Sequence, residues 1–172
     1  MTGFEAQPET ARGRALYGSL LAVHALIRRD LDLVQELAAQ TLEGIEAEEL
    51  RRQLKALERG SMLWRLQVNC LHYCSFVHLH HHAEDADFFS ELRDTNPAID
   101  PVIDRLQAEH RRVSQDLDAV ATAANGLAHD GGLEARNAVV GALHALRENL
   151  LAHLQYEEVN LEATVRRVRA LP

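Results

Sequence analysis

The chain has 172 residues, enough for one compact domain with a sizeable core. Hydrophobic residues make up 47% and charged residues 26%, which excludes a disordered chain; 5% aromatics and four prolines argue against a loop-rich β protein and for a single all-α domain over residues 1–172. The formal charge of −8 argues against nonspecific binding of nucleic acid or of an anionic membrane surface, where a basic face is needed.

In chain order, the spacing predicts a first helix over about Glu9–Gln40, with the stripe Leu20, His24, Ile27, Leu31, Val34 and Ala38 stepping by three or four. Its segment "ALYGSLLAVHALI" follows Arg12 and Arg14 and superficially looks like a signal peptide. It contains His24, lacks a cleavage site and runs on in the same helical phase, so it reads as helix. No segment is long and apolar enough to span a membrane. The charged connector "TLEGIEAEELRRQLKALERG" reads as a short extra helix that stops near Gly60. Ser61 is the candidate N-cap of the second main helix, whose stripe is Leu63, Leu66, Cys70, Tyr73, Val77, His80, Glu84 and Phe88. That helix ends at "RDTNP", because the residue before a proline avoids the α region.

A third helix carries Ile99, Ile103, Leu106, His110, Val113, Leu117, Val120 and Ala124, with Asn125-Gly126 as its stop. "LAHDGGLEA" reads as a Gly-rich loop. The fourth helix shows Val139, Leu143, Leu146, Leu150, His153, Glu157, Leu161 and Val165. Arg166, Arg167 and Arg169 follow it, where cations complement the helix dipole. Short connections make neighbouring helices antiparallel, so the expected architecture is an up-down-up-down four-helix bundle.

Ten histidines are the compositional anomaly. Cys70 and Cys74, four apart on one helix, are poorly placed for a disulfide and read as reduced core residues of a cytoplasmic protein. Lys55 is the one lysine beside seventeen arginines, a coding bias expected of a GC-rich bacterial genome.

The pattern His-x-x-x-Glu occurs twice, at His80/Glu84 and His153/Glu157. Four residues apart on a helix, imidazole and carboxylate project from one face. His24 and His110 add one inward imidazole from each of the other helices. Counted from the turn at 94–96, the His80/Glu84 pair is about thirteen residues back and His110 about fourteen forward. At about 1.5 Å per residue they share a level. An ionised glutamate in an apolar interior needs a cation or a dense set of donors, and no arginine or lysine lies on these stripes. A mixed imidazole and carboxylate set suits iron, manganese or zinc, and two carboxylates between four imidazoles suggest two bridged metals.

The histidine precedes the glutamate, unlike the Glu-x-x-His of ferritin-like bundles, and there is no His-Glu-x-x-His protease motif. The order His, His-x-x-x-Glu, His, His-x-x-x-Glu resembles the hemerythrin-like family, the HHE cation-binding domain, over about Tyr17–Val165. "LHHHAEDADFF" is similar to that family's HHxxEDxxLFP block, "LQAEHRRV" to its EHxxI block and "HLQYEEVNL" to its HxxYEExxL block. The resemblance implies a non-haem site of two iron ions, oxo- or hydroxo- and carboxylate-bridged, with manganese or zinc as lesser candidates. His24, His80, Glu84, His110, His153 and Glu157 would be ligands, with Glu84 and Glu157 bridging.

The family's oxygen carriers place two histidines four apart on the third helix, where this chain has Leu106. His81 is the candidate for the missing ligand, the alternative being a solvated or hydrogen-bonding histidine. Glu109 is a weaker candidate that reads better as a hydrogen-bonding residue. The departure favours redox reactivity over reversible oxygen carriage. Asp85 and Glu158 would orient histidines from behind, and Tyr73, Trp64, Phe88 and Leu150 read as core. His72, His78, His82, His129 and His144 fall off the stripes and read as exposed. The expected function is binding of, or reaction with, dioxygen, hydrogen peroxide or nitric oxide. The alternatives are an iron- or oxygen-sensing or metal-binding module without turnover, working through a protein partner or a homodimer, and a plain bundle with chance histidines.

Overall fold

Thr10 opens the first rod: its hydroxyl accepts the Gly13 amide at 2.8 Å and so caps α1 (Ala11–Leu42). The structure is a computed structural model that describes residues 4, 7–42, 62–129 and 132–169. The second rod is α2 (Met62–Ala83), which passes through a π-helical turn (Glu84–Phe88) into α3 (Phe89–Thr95). A single 3₁₀ turn, Pro97–Ile99, leads to α4 (Asp100–His129), and α5 (Leu133–Val165) completes the bundle. The expected extra helix and the Ser61 cap fall outside the described residues, and the side chains of Leu63, Trp64, Leu66 and His129 are likewise not described.

The rods pack in a ring, α1 on α2, α2 on α4, α4 on α5 and α5 on α1. This is the expected all-α four-helix bundle. Every stripe position of the first, third and fourth main helices from Leu20 onward is buried. The bend between the second and third rods follows from sequence. Asn96 is extended (φ −148°, ψ 91°) as a residue before proline must be, and its Oδ1 accepts the Ala98 amide at 3.3 Å.

Two expectations are corrected. Phe89, 1% exposed, takes the central place expected of Phe88, which packs half-buried against the same core, because the π turn adds a residue and rotates everything after it. The third main helix does not stop at Asn125-Gly126 but continues to His129, leaving 130–132 between the helices rather than a nine-residue loop. A glycine in a helix costs about 1 kcal/mol against alanine. Burying Leu127, 4% exposed, against the main core contributes about 1.5–3 kcal/mol and prevails.

The core is in two parts. The larger is built from the inward apolar side chains of α1 from Ile27 on, of α2 up to Val77, of α4 from Val113 on and of α5 up to Leu154. The smaller holds Tyr17 and Leu20, Phe89 and Leu92, Ile99–Leu106, and Leu161–Val168. Between them lies a layer of buried histidine and glutamate side chains.

The end of the bundle beyond the smaller core is closed by the start of α1 against the end of α5. Thr10 donates its amide to the Arg166 carbonyl at 2.8 Å, and its hydroxyl donates to the Val168 carbonyl. Gly13 allows that approach: a Cβ there would lie 2.3 Å from the Arg166 carbonyl oxygen, whereas one at Gly18 would meet nothing within 4 Å. Gly13→Ala should therefore cost about 1–3 kcal/mol in denaturant unfolding, while Gly18→Ala should be neutral or gain up to about 1 kcal/mol. Equal effects of the two substitutions would show that the contact is not tight.

Candidate metal centre

Helical geometry explains the layer. With about 100° per residue, His81 points about 100° round from His80, and Glu84 falls between them at about 40°, one turn on. His80 thus turns toward α1, where its ring lies 5.1 Å from that of His24. His81 turns the other way, stacked 4.1 Å from the His110 ring and 5.0 Å from that of His153. Glu84 can serve both sides. On α5 the same four-residue step puts Glu157 beside His153.

All seven side chains converge. The Nε2 atoms of His24, His80, His81, His110 and His153, and both oxygens of Glu84 and of Glu157, are buried and make no hydrogen bond among the described residues. Glu84 sends Oε1 to 3.3 Å from His80 Nε2 and Oε2 to 3.6 Å from His110 Nε2. Glu157 Oε2 lies 3.4 Å from His24 Nε2 and 3.6 Å from His153 Nε2. Two donors each about 2.1 Å from one ion, at angles from about 90° to about 120°, are about 3.0–3.6 Å apart, so these separations fit coordination. The donors fall into two groups with all members within 4.8 Å of one another: His81, His110 and His153; and His24, His80, Glu84 and Glu157.

The histidines are held from behind. His24 Nδ1 donates to Glu158 Oε1 at 2.8 Å, His110 Nδ1 to Asp85 Oδ1 at 3.0 Å, and His153 Nδ1 to Glu109 Oε2 at 3.1 Å. A carboxylate can only accept, so each Nδ1 carries the proton and each Nε2 keeps its lone pair for the interior. Burial pushes the His80 imidazole down to about 4, helped by the neighbouring His24. His81 and His110 are lowered too, by burial first and then by adjacent imidazoles. These rings are neutral, as ligands must be. Burial, and then repulsion from Glu157, lifts the Glu84 carboxyl well above the ordinary carboxylate range. Burial also acts upward on Glu157, but the nearby imidazoles, His24 at 3.4 Å first among them, hold it below that range. Without a cation, the layer thus tolerates one carboxylate charge but resists a second.

Every residue expected to bind metal therefore reaches the layer, His81 included, and Leu106 is core. Asp85 and Glu158 stand behind histidines as expected, and Glu109 does the same rather than joining the donors. Tyr73 lies in the larger core, its hydroxyl without a partner among the described residues. His72, His82 and His144 are exposed, and His78 is partly exposed, 3.7 Å from Asp118. Two arginines that the sequence did not single out complete the surround: Arg28 on Glu158 and Arg105 on Glu109.

The sequence model of the hemerythrin HHE cation binding domain matches residues 16–165. The chain belongs to the hemerythrin family. No curated protein and no solved structure matches it. A hemerythrin HHE domain binds metal cations, usually iron, and the His/Glu groups of this one could hold them. Among the described residues, no helix of this hemerythrin domain is long and apolar enough to cross a membrane.

The electrostatics of Glu84 generate a test. In metal-free protein, Glu84→Gln should leave the thermal midpoint unchanged or raise it, because burial already drives that carboxyl toward its neutral form. The same variant should lose most of the stabilisation that ferrous ions give the native protein, about 3–4 kcal/mol at a hundred- to thousandfold excess over Kd. A marked fall in the metal-free midpoint would make Glu84 a structural group instead.

Proposed function

We propose that this chain is a non-haem di-iron protein that binds or reacts with a small oxidant (dioxygen, hydrogen peroxide or nitric oxide) inside the bundle. The observation that carries the reading is the division of seven orphaned donors into two unequal groups. Three imidazoles gather on one side and two on the other, with Glu84 and Glu157 reaching both. Two cations fit that set and one does not use it. A mixed imidazole and carboxylate set favours iron over harder or softer ions. The side of His24 and His80 has one imidazole fewer, which supports entry of an external ligand there.

Bound iron would supply the electrons for redox chemistry. The chain's own residues do the rest. Glu158, Asp85 and Glu109 fix the tautomer and orientation of His24, His110 and His153. The apolar cores on either side exclude bulk water and favour a small, weakly polar molecule over a charged one. We also infer a cytoplasmic protein of a single domain, on the strength of the free thiols of Cys70 and Cys74 and of the four rods that the two cores share. The acidic charge supports a partner list without nucleic acid or membrane.

A second reading, a sensing module without turnover, draws on the π-helical turn that begins at Glu84 itself. Such turns recur at functional sites and can relax to α geometry. Occupancy of the layer would then bias the second rod.

Anaerobic reconstitution with ferrous iron, followed by dioxygen and then peroxide, tests the proposal. Two irons per chain and new near-ultraviolet ligand-to-iron absorption on oxidation are expected. Fewer than about one iron per chain, or no optical change, would refute it. Turnover of peroxide separates the enzyme from the sensor, whose signature is instead an oxygen-dependent change in protease sensitivity or oligomeric state.

A further inference from the structure

We propose that Arg28 and Arg105 are positioning residues of the metal centre, each guanidinium bracing the carboxylate that holds a histidine ring: Glu158 for His24 and Glu109 for His153. The inference rests on reading the layer as a metal centre. Nothing in the spacing of the donors requires these arginines, and neither touches a donor atom.

The Arg28 brace crosses between helices. Arg28 lies four residues after His24, so both side chains leave α1 on the same face. They meet one oxygen of α5, Glu158 Oε1, with His24 Nδ1 at 2.8 Å and Arg28 Nη1 at 2.7 Å. Glu158 is 19% exposed, so water competes weakly for it. A carboxylate on a flexible side chain could otherwise swing out to solvent, and the ring behind it would be free to rotate or change tautomer. The guanidinium removes that freedom.

The Arg105 brace has a different geometry. Arg105 Nε donates to Glu109 Oε1 at 2.7 Å, four residues along α4, and leaves Oε2 for His153 at 3.1 Å. The guanidinium is itself fixed, lying 3.7 Å above the ring of Tyr156. Arg105 is 57% exposed, so solvent weakens this arm relative to the other. The third holder, Asp85, shows what is added. It is 37% exposed and accepts the His110 proton at 3.0 Å with no arginine or lysine on it among the described residues. A carboxylate alone suffices to accept a ring proton, so the guanidiniums at the other two contribute position.

The test compares Arg28→Gln, Arg28→Lys and Arg105→Gln with Arg29→Gln, a control whose arginine pairs, among the described residues, with its neighbour Asp30 at the surface. Two readouts are taken on the full chain: release of ferrous iron to a chelator, and the His24 and His153 tautomers by ¹⁵N nuclear magnetic resonance in metal-free protein. Loss of a partner directly behind a ligand costs about 10–100-fold in metal affinity. One bond further out, Arg28→Gln is expected to release iron about three- to tenfold faster and to give a mixed His24 tautomer. Its metal-free thermal midpoint should match the control. Arg28→Lys, which keeps the charge, should recover part of both effects and carries the comparison if the glutamine variant does not fold. Arg105→Gln should show the smaller change, at His153. Release rates and tautomers equal to those of Arg29→Gln would overturn the brace while leaving the metal centre standing. If the native protein takes up no ferrous iron, the metal reading fails and the tautomers alone decide the brace.

Discussion

Two carboxylates in an apolar interior govern this structure. Glu84 and Glu157 are 4% and 0% exposed, and five imidazole nitrogens face them with no hydrogen-bond partners of their own. Each unpaired buried polar group costs on the order of 1–3 kcal/mol. A bundle of this size that used the seven positions for leucine would be more stable, so the layer is a cost carried by the rest of the fold. The two apolar cores, one on each side, offset it. They also shut the layer off from bulk solvent, because the bundle is packed above and below the site.

The same constraint shapes the second rod. A helix that presents one ligand can do so from an ordinary stripe, as α1 does with His24 and α4 with His110. The second rod presents three from neighbouring positions, His80, His81 and Glu84, which span about 100° of its surface. A face that wide turns the stripe away from the core of the preceding turns. The π turn that begins at Glu84 inserts one residue just past the ligands and returns the apolar face to the interior, so that Phe89 and Leu92 pack where the smaller core needs them. The irregularity sits where the functional face ends.

This geometry decides what could be read from the sequence. His24, His110, His153 and Glu157 fall on stripes of period 3.6 that also carry leucine and valine, and periodicity finds them. His81 does not, since two adjacent residues cannot share one stripe, and only the positions of α4 and α5 show that its ring meets His110 and His153. Phe88 was misplaced for the same reason: a period carried across Glu84 is wrong by one residue. Asn125-Gly126 has the local signature of a helix end, yet Leu127 beyond it is buried, and tertiary packing outweighed propensity. Arg28 and Arg105 were illegible because an arginine on a half-exposed helix face reads as solvated; what distinguishes them is a carboxylate, on another helix or one turn away, that is already engaged by a histidine.

The holders of the histidines follow the packing order of the rods. Asp85 of the second rod holds His110 of α4; Glu109 of α4 holds His153 of α5; Glu158 of α5 holds His24 of α1. In each case the holder is the sequence neighbour of a residue in the layer: Asp85 follows Glu84, Glu109 precedes His110, and Glu158 follows Glu157. One helix position aims inward while the next reaches around to the adjacent rod. The imidazoles are therefore set by the relations between helices as much as by the helices themselves. A slide of the second rod, α4 or α5 by a single turn, about 5.4 Å, would move a donor out of the layer and release the ring on the next rod in the same motion. Helix packing and the layer's donor geometry are thus one equilibrium: a cation that gathers the donors must also stabilise the register of the rods, and a loosened interface must loosen the donors that cross it.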